Sequence, residues 1–233
     1  MPGAIPEKML QMLIPVAEAL GDELLPNVAF VGGSTTALLI TDPITRQAVR
    51  FTEDVDIILK VDSKAHWHRL QQQLRERGFR ESMQDDLTCR MRLGALKVDF
   101  MPDDATILGF TNRWYHKALA SAQPYALTDG ITINLLAPAY FIATKLEAYH
   151  GRGNDDPLGS HDLEDIINLV DGRVELVEEV ARAEEDVRQY IAGQFTALLD
   201  HPDFDYAVQG NLQDSRRSDL FFDRWERIGK LAD

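Results

Sequence analysis

The stretch Thr52-Glu53-Asp54-Val55-Asp56-Ile57-Ile58-Leu59, read with the earlier turn Val31-Gly32-Gly33-Ser34, decides the fold of this chain. In a strand, successive side chains point to opposite faces. Asp54 and Asp56 therefore emerge together on one face, and Val55, Ile57 and Leu59 are left to bury the other. Two carboxylates held that close repel each other unless a cation lies between them. A glycine turn lets backbone N–H groups approach an anion closely at the start of a helix, where the dipole favours negative charge. An anion cradle beside a divalent-metal site is what binding a nucleoside triphosphate (NTP) requires.

The arrangement resembles the polymerase-β-like nucleotidyltransferase superfamily. The superfamily's signature is an apolar residue, Gly-Gly or Gly-Ser, then Asp-apolar-Asp, and a third carboxylate on a later strand. The interval from Ser34 to Asp54 contains Arg46, Arg50 and Thr52, giving an Arg-x-Thr-x-Asp-x-Asp string. That string is similar to the AbiEii-type branch, the nucleotidyltransferase toxins of type IV toxin–antitoxin systems. A second block, Ala139-Tyr140-Phe141-Ile142-Ala143-Thr144-Lys145-Leu146, followed by Ser160-His161-Asp162-Leu163-Glu164-Asp165, matches the helix lysine and later Asp-x-x-Asp segment of that branch.

The resemblance implies a set of roles. Asp54, Asp56 and Asp99 are the metal ligands, with Asp99 supplied by the strand-like run Leu96-Lys97-Val98-Asp99-Phe100-Met101. Gly32, Gly33, Ser34, Arg50, Thr52 and Asp162 bind substrate. Lys145 and Asp165 join the catalytic set, Lys145 as a point charge on the triphosphate with Arg50 as its rival. Without the resemblance, Asp162 reads as a helix cap and Lys145 as a surface lysine with its stem along the helix. Mg²⁺ suits such a site because it takes hard oxygen ligands from carboxylates and phosphates, and Mn²⁺ is an alternative. The implied reaction moves a nucleoside monophosphate (NMP) from an NTP to an acceptor with release of pyrophosphate. The implied acceptor is RNA, at the tRNA acceptor end, and an antitoxin protein is the implied partner. Two other functions stay open: nucleotidylation of a small molecule such as an aminoglycoside, and non-catalytic nucleotide binding.

Composition sets bounds on these readings. The chain has 233 residues, 45% hydrophobic, enough for one good core or a core with a helical appendage. The single cysteine, Cys89, excludes an internal disulfide framework and points to a reducing compartment. No apolar run approaches the ~20 residues that span a bilayer, so the expectation is a cytoplasmic protein with no membrane partner. Net charge is −14, unevenly spread. Residues 1–154 hold 16 Lys+Arg against 18 Asp+Glu, whereas 155–233 hold 8 against 20. Within the near-neutral part, Arg69, Arg75, Arg77, Arg80, Arg90, Arg92 and Lys97 form a basic stretch. It reads either as solvated helix and strand edges or as a surface for a polyanion.

Helical spacing of Met9, Met12, Leu13, Val16, Leu20 and Leu24 predicts a helix over 6–25, and strands follow at 28–31 and 52–61. A helix is expected at 35–40, a polar loop at 41–50, and a helix through about 77 capped by Asp62 or Ser63. Strands are expected at 79–83, 87–93, 96–101 and 131–136, with Gly94 in a tight turn. Helices are expected near 112–119, 139–150, 161–170 and 173–199. The fold class is therefore α/β: a nucleotidyltransferase core with a mixed sheet over 1–137, then a helical region over 138–233.

Overall fold

The structure, a computed structural model, describes residues 5–232. The fold is α/β, with a six-stranded mixed sheet and a helical C-terminal region. The chain divides into two compact units. One holds Glu7–Thr35 and Phe51–Ala137; the other holds Thr36–Arg50 and the chain from Pro138 onward.

The first unit is built on strands β1 (Val28–Val31), β2 (Asp54–Leu59), β3 (Arg90–Leu93), β4 (Leu96–Pro102), β5 (Gln123–Thr128) and β6 (Ile131–Leu135). Their order is β3-β4-β2-β1-β6-β5. β2 runs antiparallel to β1 and parallel to β4, and β1 runs parallel to β6. Alternation settles which face is buried. Val55, Val98 and Met91 pair across β2, β4 and β3, and all three are buried. The next row, Asp56, Asp99 and Arg90, must then point to the opposite face.

The helix Glu7–Leu24 buries the apolar stripe anticipated from its spacing, and Lys64–Glu76 buries Trp67, Leu70 and Leu74. Ser63 caps the latter by accepting from the His66 N–H. Phe79 meets Phe100 edge-on, with ring centroids 5.2 Å apart. The expected strand at 79–83 does not form. Arg80 makes a single bridge to Arg92, and the Ser82 hydroxyl then accepts from the Gln84 N–H, turning the chain away. β5, unread in the sequence, begins Gln123-Pro124, and as the terminal strand it tolerates a proline that cannot donate to a ladder.

The second unit is helical. Its main helices are Pro138–Gly151, His161–Gly172, Leu176–Ala181, Glu185–Leu199, Phe204–Asn211 and Ser218–Gly229. The expected single helix over 173–199 is broken at 182–184, where Glu185 and Asp186 open a new first turn that favours negative charge. The expected loop at 41–50 contains the helix Pro43–Ala48. Its proline sits at the first turn and the Asp42 carboxylate accepts from the Ile44 and Thr45 N–H groups. That segment is stitched to His161–Gly172. The Thr41 and Asp42 N–H groups donate to the Gly172 carbonyl at 2.9 and 2.8 Å, and Thr45 Oγ1 donates to Asp171 at 2.7 Å. Among the described residues no helix is long and apolar enough to cross a membrane.

Candidate active site

Asp56 lies opposite Val31 on β1 and opposite Asp99 on β4, and Asp99 lies opposite Arg90 on β3. Asp54 is two residues before Asp56 and shares its face. The sheet register thus brings together three of the carboxylates anticipated from the sequence. It adds a guanidinium that sequence reasoning placed only in a basic stretch. Arg90 donates from Nε to Asp99 Oδ1 and from Nη2 to Asp99 Oδ2, each at 2.7 Å, and from Nη2 to Asp54 Oδ2 at 3.1 Å. The Asp99 hydrogen bonds hold the Arg90 guanidinium protonated well above its ordinary range. The signal for Arg90 was present in the sequence. A two-residue turn at Gly94-Ala95 sets a hairpin register in which residue 90 faces residue 99.

The glycine turn lies beside this row. Gly32 has φ of 78°, and a Cβ there would stand 1.8 Å from Asp56 Oδ2. The Asp56 carboxylate therefore lies directly over the Gly32 backbone, an approach open only to glycine. The turn closes as the 3₁₀ segment Gly33–Thr35, with the Thr35 N–H and hydroxyl both donating to the Gly32 carbonyl at 3.1 and 2.9 Å. The helix expected at 35–40 is only Thr36–Leu39, a single turn, so its dipole contributes little. Ser34 is buried, and its hydroxyl faces the Val31 carbonyl at 3.5 Å. Thr52 Oγ1 donates to the Asp54 carbonyl at 3.2 Å, holding the start of β2.

The second unit holds its own charged cluster. Lys145 is only 4% exposed and Asp165 is fully buried. Lys145 Nζ donates to Asp162 at 3.0 Å and to Asp165 at 2.6 Å. Arg152 donates twice to Asp162, at 2.8 Å each. Arg50 donates from Nη2 to Asp165 Oδ2 at 3.3 Å and pairs through Nε with Glu164 at 3.3 Å. Asp162 does not cap its helix; the Ser160 hydroxyl does, accepting from the Leu163 N–H. Burial pushes the Asp162 carboxyl up, but the Arg152 hydrogen bonds and the Lys145 charge outweigh it and hold the group at about 2. Burial likewise lowers Lys145, yet the charges of Asp165 and Asp162 leave it raised. Lys145 is thus a buried counter-ion and not a surface lysine. Arg50, with 24% of its side chain exposed, is better presented than Lys145, and Arg152, at 73%, is the most exposed cation of the cluster.

The donors of the acidic row fit a hard divalent cation. They are carboxylate oxygens on one face, and a guanidinium already lies between Asp54 and Asp99 as a resident cation. With the side chains as they stand, no group of three or more His, Cys, Asp or Glu among the described residues converges on one ion position. The basic stretch is largely neutralised. Arg75 pairs with Glu81, Arg77 with Glu23, Arg92 with Asp85 and Lys97 with Glu53, while Arg80 donates to the Arg75 and Phe79 carbonyls. Burial, with the nearby Asp99 charge, pushes the Cys89 thiol up to about 12, which makes it inert as a nucleophile.

An acidic row on one sheet face beside a glycine turn is the arrangement expected of a nucleotidyltransferase. The chain belongs to the AbiEii family: the family model described as nucleotidyl transferase AbiEii toxin, type IV toxin–antitoxin system, matches residues 19–228. No curated protein matches the chain.

Proposed function

We propose that this chain transfers an NMP from an NTP to an RNA acceptor, the acceptor end of a tRNA, as a toxin held in check by a cognate antitoxin. The observation that carries the reading is the row of Asp54, Asp56 and Asp99 beside Gly32. Family membership supports the transferase and toxin parts. A bound Mg²⁺ or Mn²⁺ would neutralise phosphate charge and orient the triphosphate. Asp54 and Asp56 would hold it. The Gly32-Gly33-Ser34 turn offers backbone N–H groups to the phosphates. Within the helical unit, Lys145 fixes Asp162 and Asp165. Catalysis then rests on positioning and electrostatic stabilisation.

The test incubates the purified chain with each α-labelled NTP, Mg²⁺, and separate pools of RNA, protein and small molecules. Label should enter RNA. Asp54→Asn and Asp56→Asn should abolish the transfer while the melting temperature holds. Label in the small-molecule pool would select the aminoglycoside-like alternative. Near-normal transfer by either variant would remove these residues from the site.

A further inference from the structure

We infer that Arg90 is the second cation of the acidic row, that Asp99 holds this arginine in place of a metal ion, and that the site takes one divalent ion, on Asp54 and Asp56. The inference rests on the nucleotidyl-transfer reading and narrows it. Both oxygens of Asp99 are taken by Arg90, through two parallel bonds of 2.7 Å in fork-to-fork geometry. Such charge-assisted pairs are about twice as strong as neutral hydrogen bonds. Asp99 is 6% exposed and the Arg90 side chain 15%, so little water reaches the pair to screen it. A hydrated ion would have to displace a guanidinium that the β3–β4 hairpin register presents to Asp99.

The same Nη2 reaches Asp54 at 3.1 Å, so the guanidinium stands between the two carboxylates that a second ion would bridge. Charge balance agrees. Three carboxylates and one guanidinium leave a net charge of −2, which one divalent ion cancels. Two ions would make the row positive before any phosphate arrived. Arg90 reaches Asp54 through one oxygen, and Asp56 leans over Gly32 on the same face.

The experiment counts bound Mn²⁺ by electron paramagnetic resonance, using the full chain with a non-hydrolysable NTP analogue. The wild type should bind one ion. Asp99→Asn should still bind one, because Asp99 is not a ligand. Asp54→Asn or Asp56→Asn should lose it. Arg90→Ala should admit a second ion, and Arg90→Lys, which keeps the charge, should not. Two ions in the wild type would overturn the inference and leave nucleotidyl transfer standing. So would loss of the ion in Asp99→Asn, or a count of one in folded Arg90→Ala. If Arg90→Ala does not fold, the wild-type and Asp99→Asn counts decide. No ion in the wild type would overturn both readings.

Discussion

Asp56 and Gly32 show how closely the site depends on single residues. The positive φ of Gly32 and the 1.8 Å clearance to Asp56 leave no room for a methyl group. Gly32→Ala should lose NMP transfer through displacement of Asp56, and the backbone strain alone costs on the order of 1–3 kcal/mol. Transfer kinetics with a parallel thermal melt check this; wild-type kinetics would mean that the carboxylate does not need that position. Asp162 carries a pH prediction. Its folded pKa, about 2, lies below the ordinary 3.8, so its stabilisation is present above pH ~4 and is lost as pH falls from there towards 2. The shift corresponds to about 2 kcal/mol. Urea titrations at pH 5 and pH 2.5 should differ by most of that amount, because the folded carboxyl is only partly protonated at pH 2.5, and Asp162→Asn should shrink the difference. An unchanged pH dependence in the variant would show that Asp162 is not the titrating group.

The C-terminal helices show which elements could be read in advance. Spacing alone gives no place to the aromatic residues beyond Pro202, which are Phe204, Tyr206, Phe221, Phe222 and Trp225. Phe204, Phe221 and Trp225 turn out fully buried, and Trp225 stacks on Phe195 at 3.8 Å and donates its indole N–H to the Phe195 carbonyl at 2.9 Å. Trp225→Ala should cost about 3–5 kcal/mol, the usual range for emptying an aromatic site. Urea unfolding measures it, and a loss under about 1 kcal/mol would mean the tail is not part of this unit's core. Helix Glu7–Leu24 was legible because a 3.6 period runs through its apolar positions, although the backbone kinks at Gly21, and strand β2 because Asp54 and Asp56 alternate with the buried Val55 and Ile57. Helix Pro43–Ala48 was missed although Asp42-Pro43 is a start signal, because six residues are too few to display a period. The supposed strand at 79–83 has only Phe79 as a strand-favouring residue and makes a single bridge, at Arg80.

At the scale of the whole molecule, net charge decides how an RNA acceptor would be met. The chain carries −14, and residues 155–233 hold most of it. A polyanion is repelled there over about 8 Å at physiological salt. In the basic stretch, Arg75, Arg77, Arg92 and Lys97 already face carboxylates, so an RNA backbone must compete for them. RNA binding should therefore weaken as salt rises from about 50 to 200 mM through lost counterion release. Reversing Arg75, Arg77 and Arg80 to Glu should weaken it further while NTP binding holds. Filter binding across that range is the check, and insensitivity to both salt and reversal would reject RNA as the acceptor. By itself the amino-acid sequence determined the α/β class, the same-face pair Asp54 and Asp56, and the glycine turn, because short-period alternation and φ > 0 chemistry are local properties; Asp99 followed from the family resemblance. Only the tertiary structure decided that Lys145 is buried between Asp162 and Asp165, and that Arg90, which the turn at Gly94-Ala95 sets opposite Asp99, clamps it through both oxygens. Those pairings join residues distant in sequence or on neighbouring strands, and only packing and sheet register set which charge meets which.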